Sequence, residues 1–267
     1  MTLFSYLKQV GQIILDLIYP PSCVNCGEAG ACFCDACIAA VAGYPEPRCI
    51  RCDLPLPSYP VTLCQDCERG GMIYLEGLRV IGPHQEPLRE AIHLLKYESH
   101  QGVARRLGWL LATCWQERAT ITIDGLLPVP LHPDRQRERG FNQCALLAEA
   151  MSIHLAIPMD EGLLTRIRDT ASQVGLSQGE RLQNVAGAFV ASPEVAGKCW
   201  LLVDDVCTTG STLMACAQAL HAQGARAVWA ITLTRPFYGK AKKGSVAQMA
   251  PIGDKTIWEW DNQAIWQ

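Results

Sequence analysis

The sequence predicts an α/β protein: a parallel sheet flanked by helices, preceded by a small domain folded around metal. Three observations carry this. Short apolar runs alternate with helical patterns from Gly77 to Leu233, the signature of strand–helix repeats. One apolar run, Trp200 to Val203, turns abruptly into Asp204-Asp205 and then into Thr208-Thr209-Gly210-Ser211-Thr212. Four Cys-x-x-Cys pairs crowd residues 23–67.

Composition sets the frame. The chain has 267 residues, 49% hydrophobic and 18% charged, enough for one large domain plus a small one. A formal net charge of −3 argues against a general nucleic-acid binder while leaving room for a local basic patch. No apolar stretch approaches the length of a membrane span, so none is expected. At the N-terminus, Leu3, Leu7, Val10, Ile14, Leu17 and Ile18 follow helical spacing, with Lys8 the only cation between them. That reads as an amphipathic helix packing on a neighbour; Pro20-Pro21-Ser22 lacks the small-residue run of a signal-peptide cleavage site. Fourteen cysteines without a secretion signal point to the cytoplasm, and to metal rather than disulfides.

Cys23/Cys26, Cys34/Cys37, Cys49/Cys52 and Cys64/Cys67 are the four pairs. Each can aim two thiolates at one ion, and two pairs complete a tetrahedron, so two structural Zn²⁺ ions are expected. Sequential grouping of the pairs is the simplest connectivity; an interleaved one remains open. Cys32 is left over, poorly spaced from Cys37. Gly27, Pro47, Pro55 and Pro57 punctuate ribbons expected to have almost no core of their own, so metal is expected to supply much of the folding free energy. No thioredoxin-like pattern surrounds any pair, which disfavours redox chemistry.

The remaining elements follow in order. Residues 77–81 read as a strand, 87–97 and 102–115 as helices, and 125–130 as a buried strand ending at a turn. Residues 143–153 read as a helix, 186–190 and 199–206 as strands, 212–223 as a helix stopped by Gly224, and 227–233 as a strand. Ligands of such sheets sit beyond the C-terminal strand ends, where Asp204 and Asp205 fall.

A strand, a hydroxyl-rich turn and a helix N-terminus together make an anion site, because unpaired N–H groups and the positive dipole end face the ligand. Two carboxylates beside such a cradle suit vicinal hydroxyls, as an acidic residue suits a ribose. The motif reads as a site for a 5′-phosphorylated ribose. The Gly-Lys-Ser/Thr ending of a Walker loop is absent.

Residues 200–212 resemble the phosphoribosyl-pyrophosphate (PRPP) signature of type I phosphoribosyltransferases, with every position filled. The resemblance implies that Asp204 and Asp205 hold the ribose hydroxyls and act as the catalytic pair. It implies that Thr208, Thr209, Gly210, Ser211 and Thr212 wrap the 5′-phosphate. The segment 131–143 reads as a loop at the ligand end of the sheet, with Arg135, Arg137 and Arg139 dense and Gly140 permitting close approach. Arginine forks suit the pyrophosphate of PRPP. The bland alternative is a solvated charged loop. Lys96 lies near a helix end, where a solvated cap is the commoner role.

Pro128-Val-Pro-Leu-His-Pro133 and Arg137 to Gln143, with Lys96-Tyr97, Arg166, Gln173, Arg181, Asn184 and Phe189, narrow the resemblance to the ComF/GntX family over roughly residues 15–236. That family joins a double zinc ribbon to a type I phosphoribosyltransferase-like domain and is linked to natural transformation and use of external DNA. It implies a PRPP-binding glycosyltransferase with Mg²⁺ accompanying PRPP, and a mobile loop near 166–181 closing over substrate. The expected organisation is a helix over 1–21, a double zinc ribbon over 22–70, a phosphoribosyltransferase-like domain over 71–238 and a tail over 239–267. The acceptor is not readable. The competing reading is a non-catalytic adaptor that binds PRPP or a related phosphoribosyl nucleotide, its ribbons docking a DNA-uptake protein or single-stranded DNA. Residues 22–70 hold three cations, Arg48, Arg51 and Arg69, against six carboxylates, a balance that favours a protein partner.

Overall fold

The computed structural model describes residues 20–97, 101–168, 185 and 187–237. The N-terminal helix expected at 3–18, Gln173 and Arg181 of the expected closing loop, and the tail with Trp258, Trp260 and Trp266 lie outside them.

Two short helices open the second cysteine pair of each ribbon: α1 (Asp35–Ala39) and α2 (Gln65–Glu68). Then follow β1 (Gly77–Pro83), α3 (Leu88–Tyr97), α4 (Gln101–Arg118), β2 (Gly125–Pro128), α5 (Pro133–Arg139) and α6 (Gln143–Leu155). The chain continues through β3 (Leu164–Arg166), β4 (Phe189–Ala191), β5 (Cys199–Val206), α7 (Ser211–Ala222) and β6 (Ala227–Arg235). The main sheet is parallel throughout, in the order β1-β6-β5-β2. Its two central strands are apolar on both faces, as a sheet covered on both sides requires.

Strand alternation sorts β5 between two cores. Leu201 and Val203 face α3, α4 and α6, where Ile92, Leu95, Leu107, Leu111 and Leu147 meet them. Trp200 and Leu202 face α7, where Leu213, Ala217 and Leu220 meet them. Two glycines make room for tryptophans on the neighbouring strand. Gly77 is opposite Trp229 and Gly125 opposite Trp200, and a Cβ on either glycine would lie 2.5 Å from the indole.

The ribbons do not stand apart. Phe33, Ile38 and Val41 of the first join the core under α3 and α4, while Cys49, Leu56, Met72 and Leu75 after it join the core under α7. The connecting chain straddles the edge strand β1: Leu78 N donates to Arg51 O at 2.7 Å, and a Cβ at Gly82 would strike Ala42 O. This covers an edge that would otherwise be open to pairing. The expectation of ribbons with almost no core is therefore corrected: they borrow the sheet's two cores.

Buried Asp53 fastens the joint. It sits at φ 64°, and its Oδ2 accepts from Val80 N at 2.7 Å and Arg118 Nη1 at 2.8 Å. Its Oδ1 pairs with Arg118 Nη2, and Arg48 Nη1 lies 3.8 Å from its Oδ2.

Two further expectations change. The strand expected at 186–190 is β4, which pairs antiparallel with β3 in a separate two-stranded sheet. Val190 is exposed between buried Phe189 and Ala191, so this ribbon packs one face only. The segment 131–143, expected as a loop, folds residues 133–139 into α5. Pro133 begins it, His132 Nδ1 accepts from Asp134 N, and Gly140 ends it at φ 80°. No helix among the described residues is long and apolar enough to cross a membrane.

Candidate functional site

Asp204 and Asp205 lie in the last three residues of β5 at the C-terminal edge of the sheet, both buried. The two carboxylates approach within 4.8 Å of one another yet acquire different partners. Asp204 Oδ1 accepts from the Cys144 thiol at 3.2 Å and from Asp205 N at 2.9 Å. Asp205 Oδ1 accepts from Val206 N at 2.9 Å, and its Oδ2 lies 2.6 Å from Lys96 Nζ.

These surroundings split the pair. Burial first, and the Asp205 charge second, push the Asp204 carboxyl up to about 8. Burial works against charge on Asp205 too, but the Lys96 ammonium overcomes it and holds this carboxyl below the usual range. Burial and Asp204 keep the Cys144 thiol protonated. At neutral pH the site holds one neutral acid and one carboxylate, an arrangement suited to giving or taking a proton at one and holding charge at the other.

The chain then turns. Gly210 takes φ 83° and opens α7, and Thr209 Oγ1 lies 2.8 Å from Ser211 Oγ. Thr208 is exposed, Ser211 buried, and Thr212 half-buried. The positive dipole end of α7 lies at this turn, where Ser211 N donates to Thr209 Oγ1 at 3.4 Å. Asp204, Asp205 and residues 208–212 therefore share one strand end.

The arginine segment reaches the same edge by a separate route. The Asn142 side chain caps α6 by accepting from Cys144 N at 3.0 Å, while its Nδ2 donates to Val129 O beyond β2 at 3.1 Å. This fixes Cys144 against Asp204. Arg139 Nη1 donates to Gln143 Oε1 at 2.6 Å, one residue from Cys144. Arg135 and Arg137 lie on the exposed surface of α5, with Arg137 paired to Asp134, and Gly140 follows them. Arg166, expected in a closing loop, instead lies in β3 with its guanidinium 5.6 Å from the Phe189 ring centre.

Sequence reasoning passed over Cys144 and set Lys96 aside as a solvated cap. Lys96 is in fact mostly covered and bonded to Asp205, a partner more than a hundred residues away that no local pattern announces.

The ribbon cysteines group sequentially. One donor atom each from Cys23, Cys26, Cys34 and Cys37 lies within 4.8 Å of the others, as does one each from Cys49, Cys52, Cys64 and Cys67. Sulfur pairs Cys23–Cys37, Cys26–Cys34 and Cys52–Cys64 stand 3.6 Å apart. Tetrahedral Zn–S bonds of about 2.3 Å place sulfurs about 3.8 Å apart, so both sets fit zinc. The two knuckles repeat one device: Cys34 N donates to Cys23 Sγ, and Cys64 N to Cys49 Sγ, each at 3.4 Å. Cys32 lies outside both sets and packs on α4 at Gly102. Cys144, Asp204 and Asp205 also converge within 4.8 Å, with Asp205 paired to Lys96.

Comparison with known proteins agrees with this two-part layout. A double zinc ribbon domain matches residues 14–68, and a phosphoribosyl transferase domain matches residues 142–265. Competence protein F of Haemophilus influenzae is 31% identical over 209 residues, covering 76% of this chain and 90% of that protein. The DNA utilization protein YhgH of Escherichia coli K12 is 34% identical over 206 residues, covering 76% of this chain and 89% of that one.

Proposed function

The chain belongs to the family of competence protein F and the DNA utilization protein YhgH, and on that premise we propose that it is a PRPP-binding phosphoribosyltransferase-like protein serving DNA uptake or the use of external DNA. One observation carries the ligand: Asp204 and Asp205 end a parallel strand directly before a Gly210-centred turn at the N-terminus of α7. The 5′-phosphate lies on residues 208–212, and the carboxylates take the ribose hydroxyls. Arg135, Arg137 and Arg139, with Gly140, receive the pyrophosphate.

In transfer, an acceptor nucleophile forms a bond to C1 of the ribose as the C1–O bond to pyrophosphate breaks, the pyrophosphate leaving with the electron pair. The ring passes through an oxocarbenium-like state. Asp205, held as a carboxylate by Lys96, stabilises the positive ring, while the ionised form of Asp204 takes the proton that the acceptor gives up as its bond to C1 forms. Mg²⁺ accompanying PRPP would neutralise pyrophosphate charge. The ribbon thiols suit a reducing cytoplasm.

Calorimetry with PRPP and Mg²⁺ tests the binding. Micromolar affinity is expected for the wild type and its loss for a folded Asp204→Ala/Asp205→Ala variant; equal affinity in both refutes the site. Pyrophosphate release on incubation with a panel of bases separates transferase from adaptor.

The second ribbon carries exposed Ile50, Tyr59 and Val61, which favours a protein as its docking partner over single-stranded DNA. Steeply salt-dependent binding of single-stranded DNA by the zinc-loaded protein would reverse that preference.

A further inference from the structure

The second zinc knuckle and the phosphate turn share a cavity. It measures about 110 Å³, and its lining includes Cys52, Cys64, Cys67 and the Asp66 carboxylate from the knuckle, Thr209 and Ser211 from the turn, and Arg235. Arg235 comes from the end of β6 and is 92% buried, being 8% exposed. Its Nη1 donates to Cys52 O at 2.8 Å and approaches Met72 Sδ at 3.9 Å. Its Nε is buried with no hydrogen-bond partner. A buried guanidinium donor left unpaired is costly unless an anion completes it. Met72 also touches the turn directly, since a Cβ on Gly210 would lie 2.5 Å from Met72 Cε.

We propose that this cavity is an oxyanion site built jointly by the second ribbon and the phosphate turn, in which Arg235 binds the 5′-phosphate and couples its occupancy to retention of zinc by Cys49, Cys52, Cys64 and Cys67. This rests on the reading of residues 208–212 as a phosphate cradle. The donors match the ligand: a charged N–H, two hydroxyls that at present bond one another, and the N-terminus of a twelve-residue helix. Arg235 lines the cavity beside a thiolate site whose zinc-loaded form is net negative, and its charge offsets that site and Asp66 as well as the anion. Its bond to Cys52 O, inside the knuckle, makes the coupling mechanical. A phosphate that fixes the guanidinium also fixes the Cys49–Cys52 turn and, through Met72, Gly210. The first knuckle packs against the core on the other side of the sheet and shares no such wall. Coupling between binding sites is reciprocal, so phosphate binding must slow zinc loss wherever zinc favours phosphate binding.

The test uses the zinc-loaded full chain, with ribose 5-phosphate as the probe. Its binding is measured by calorimetry, and release of the two zinc ions to a colorimetric chelator is followed with and without it. The expected result is saturable binding together with several-fold slower release of one zinc of the two. Arg235→Lys keeps the charge but loses the fork; it is expected to weaken ribose 5-phosphate about tenfold and abolish the protection. Binding without any change in zinc release, or with equal slowing of both ions, overturns the coupling while leaving the phosphate cradle intact. No binding at all overturns the cradle and this proposal together. The wild-type measurement decides the coupling even if the variant fails to fold.

Discussion

Lys96 Nζ lies 2.6 Å from Asp205 Oδ2, tying the last turn of α3 to the C-terminal end of β5. Burial disfavours both charges, and each holds the other ionised. Removing one member therefore strands the other. Lys96→Met is expected to cost up to about 3 kcal/mol at neutral pH, the low end for a buried pair because Lys96 keeps some solvent contact. Lys96→Met/Asp205→Asn should recover most of that loss. Urea denaturation of the four proteins in this cycle checks it, and additive losses would show that the pair does not interact.

Asp204 should make the fold less stable as pH rises. The unfolded chain loses this proton near 3.8, whereas the folded chain keeps it to about 8. Between those values the folded state binds more protons, so its stability falls with increasing pH. Asp204→Asn mimics the neutral acid and removes that slope. The variant is expected to exceed the wild type by on the order of a few kcal/mol at pH 8, with the advantage vanishing towards pH 4. Denaturation midpoints at a series of pH values measure the difference; one that stays constant with pH would contradict a raised Asp204.

Much of this was legible in the chain because the signals are local. Residues 199–203 are apolar without interruption and 204–205 acidic, which suits a strand buried on both faces whose end turns polar. The Cys-x-x-Cys spacing likewise announces its own chemistry. Contacts across long separations had no such signature: Cys144 meets Asp204 across 60 residues, and Arg235 meets Cys52 across 183. Residues 133–139 form a helix where a dense charge run suggests a loop, because Pro133 starts it and Gly140 stops it. Residues 186–190 read as one more strand of the main sheet because periodicity reports a strand without naming its neighbour; β4 pairs with β3 instead.

Asp53 joins ribbon to sheet, and its removal should loosen both. Asn tolerates the positive φ at this position, so Asp53→Asn preserves the backbone while deleting the charge that meets Arg118 and Arg48. Two partly buried guanidinium groups then lose their carboxylate, at an expected cost of about 3–5 kcal/mol. Because ribbon residues help fill both cores, the loss should appear as a lower midpoint of one cooperative transition, followed by tryptophan fluorescence. A ribbon that melts separately, with the sheet unaffected, would count against a shared core.

Gly210 is the position where the turn before α7 tolerates no side chain. Its φ of 83° costs an L-residue about 1–2 kcal/mol, and a Cβ would lie 2.5 Å from Met72 Cε. The second problem is soluble, since Cε ends a flexible side chain; the first is not. Gly210→Ala is therefore expected to lower stability by about 1–2 kcal/mol and to weaken PRPP binding more than that strain alone, because the N–H groups at the start of α7 are re-aimed. Met72→Ala removes the contact but not the backbone strain. Adding it to Gly210→Ala should relieve the clash and leave both the strain and the binding defect in place. Calorimetry with PRPP and denaturation of the single and double variants separate the two effects, and full restoration of binding by Met72→Ala would mean that the contact, and not the left-handed conformation, makes glycine necessary here.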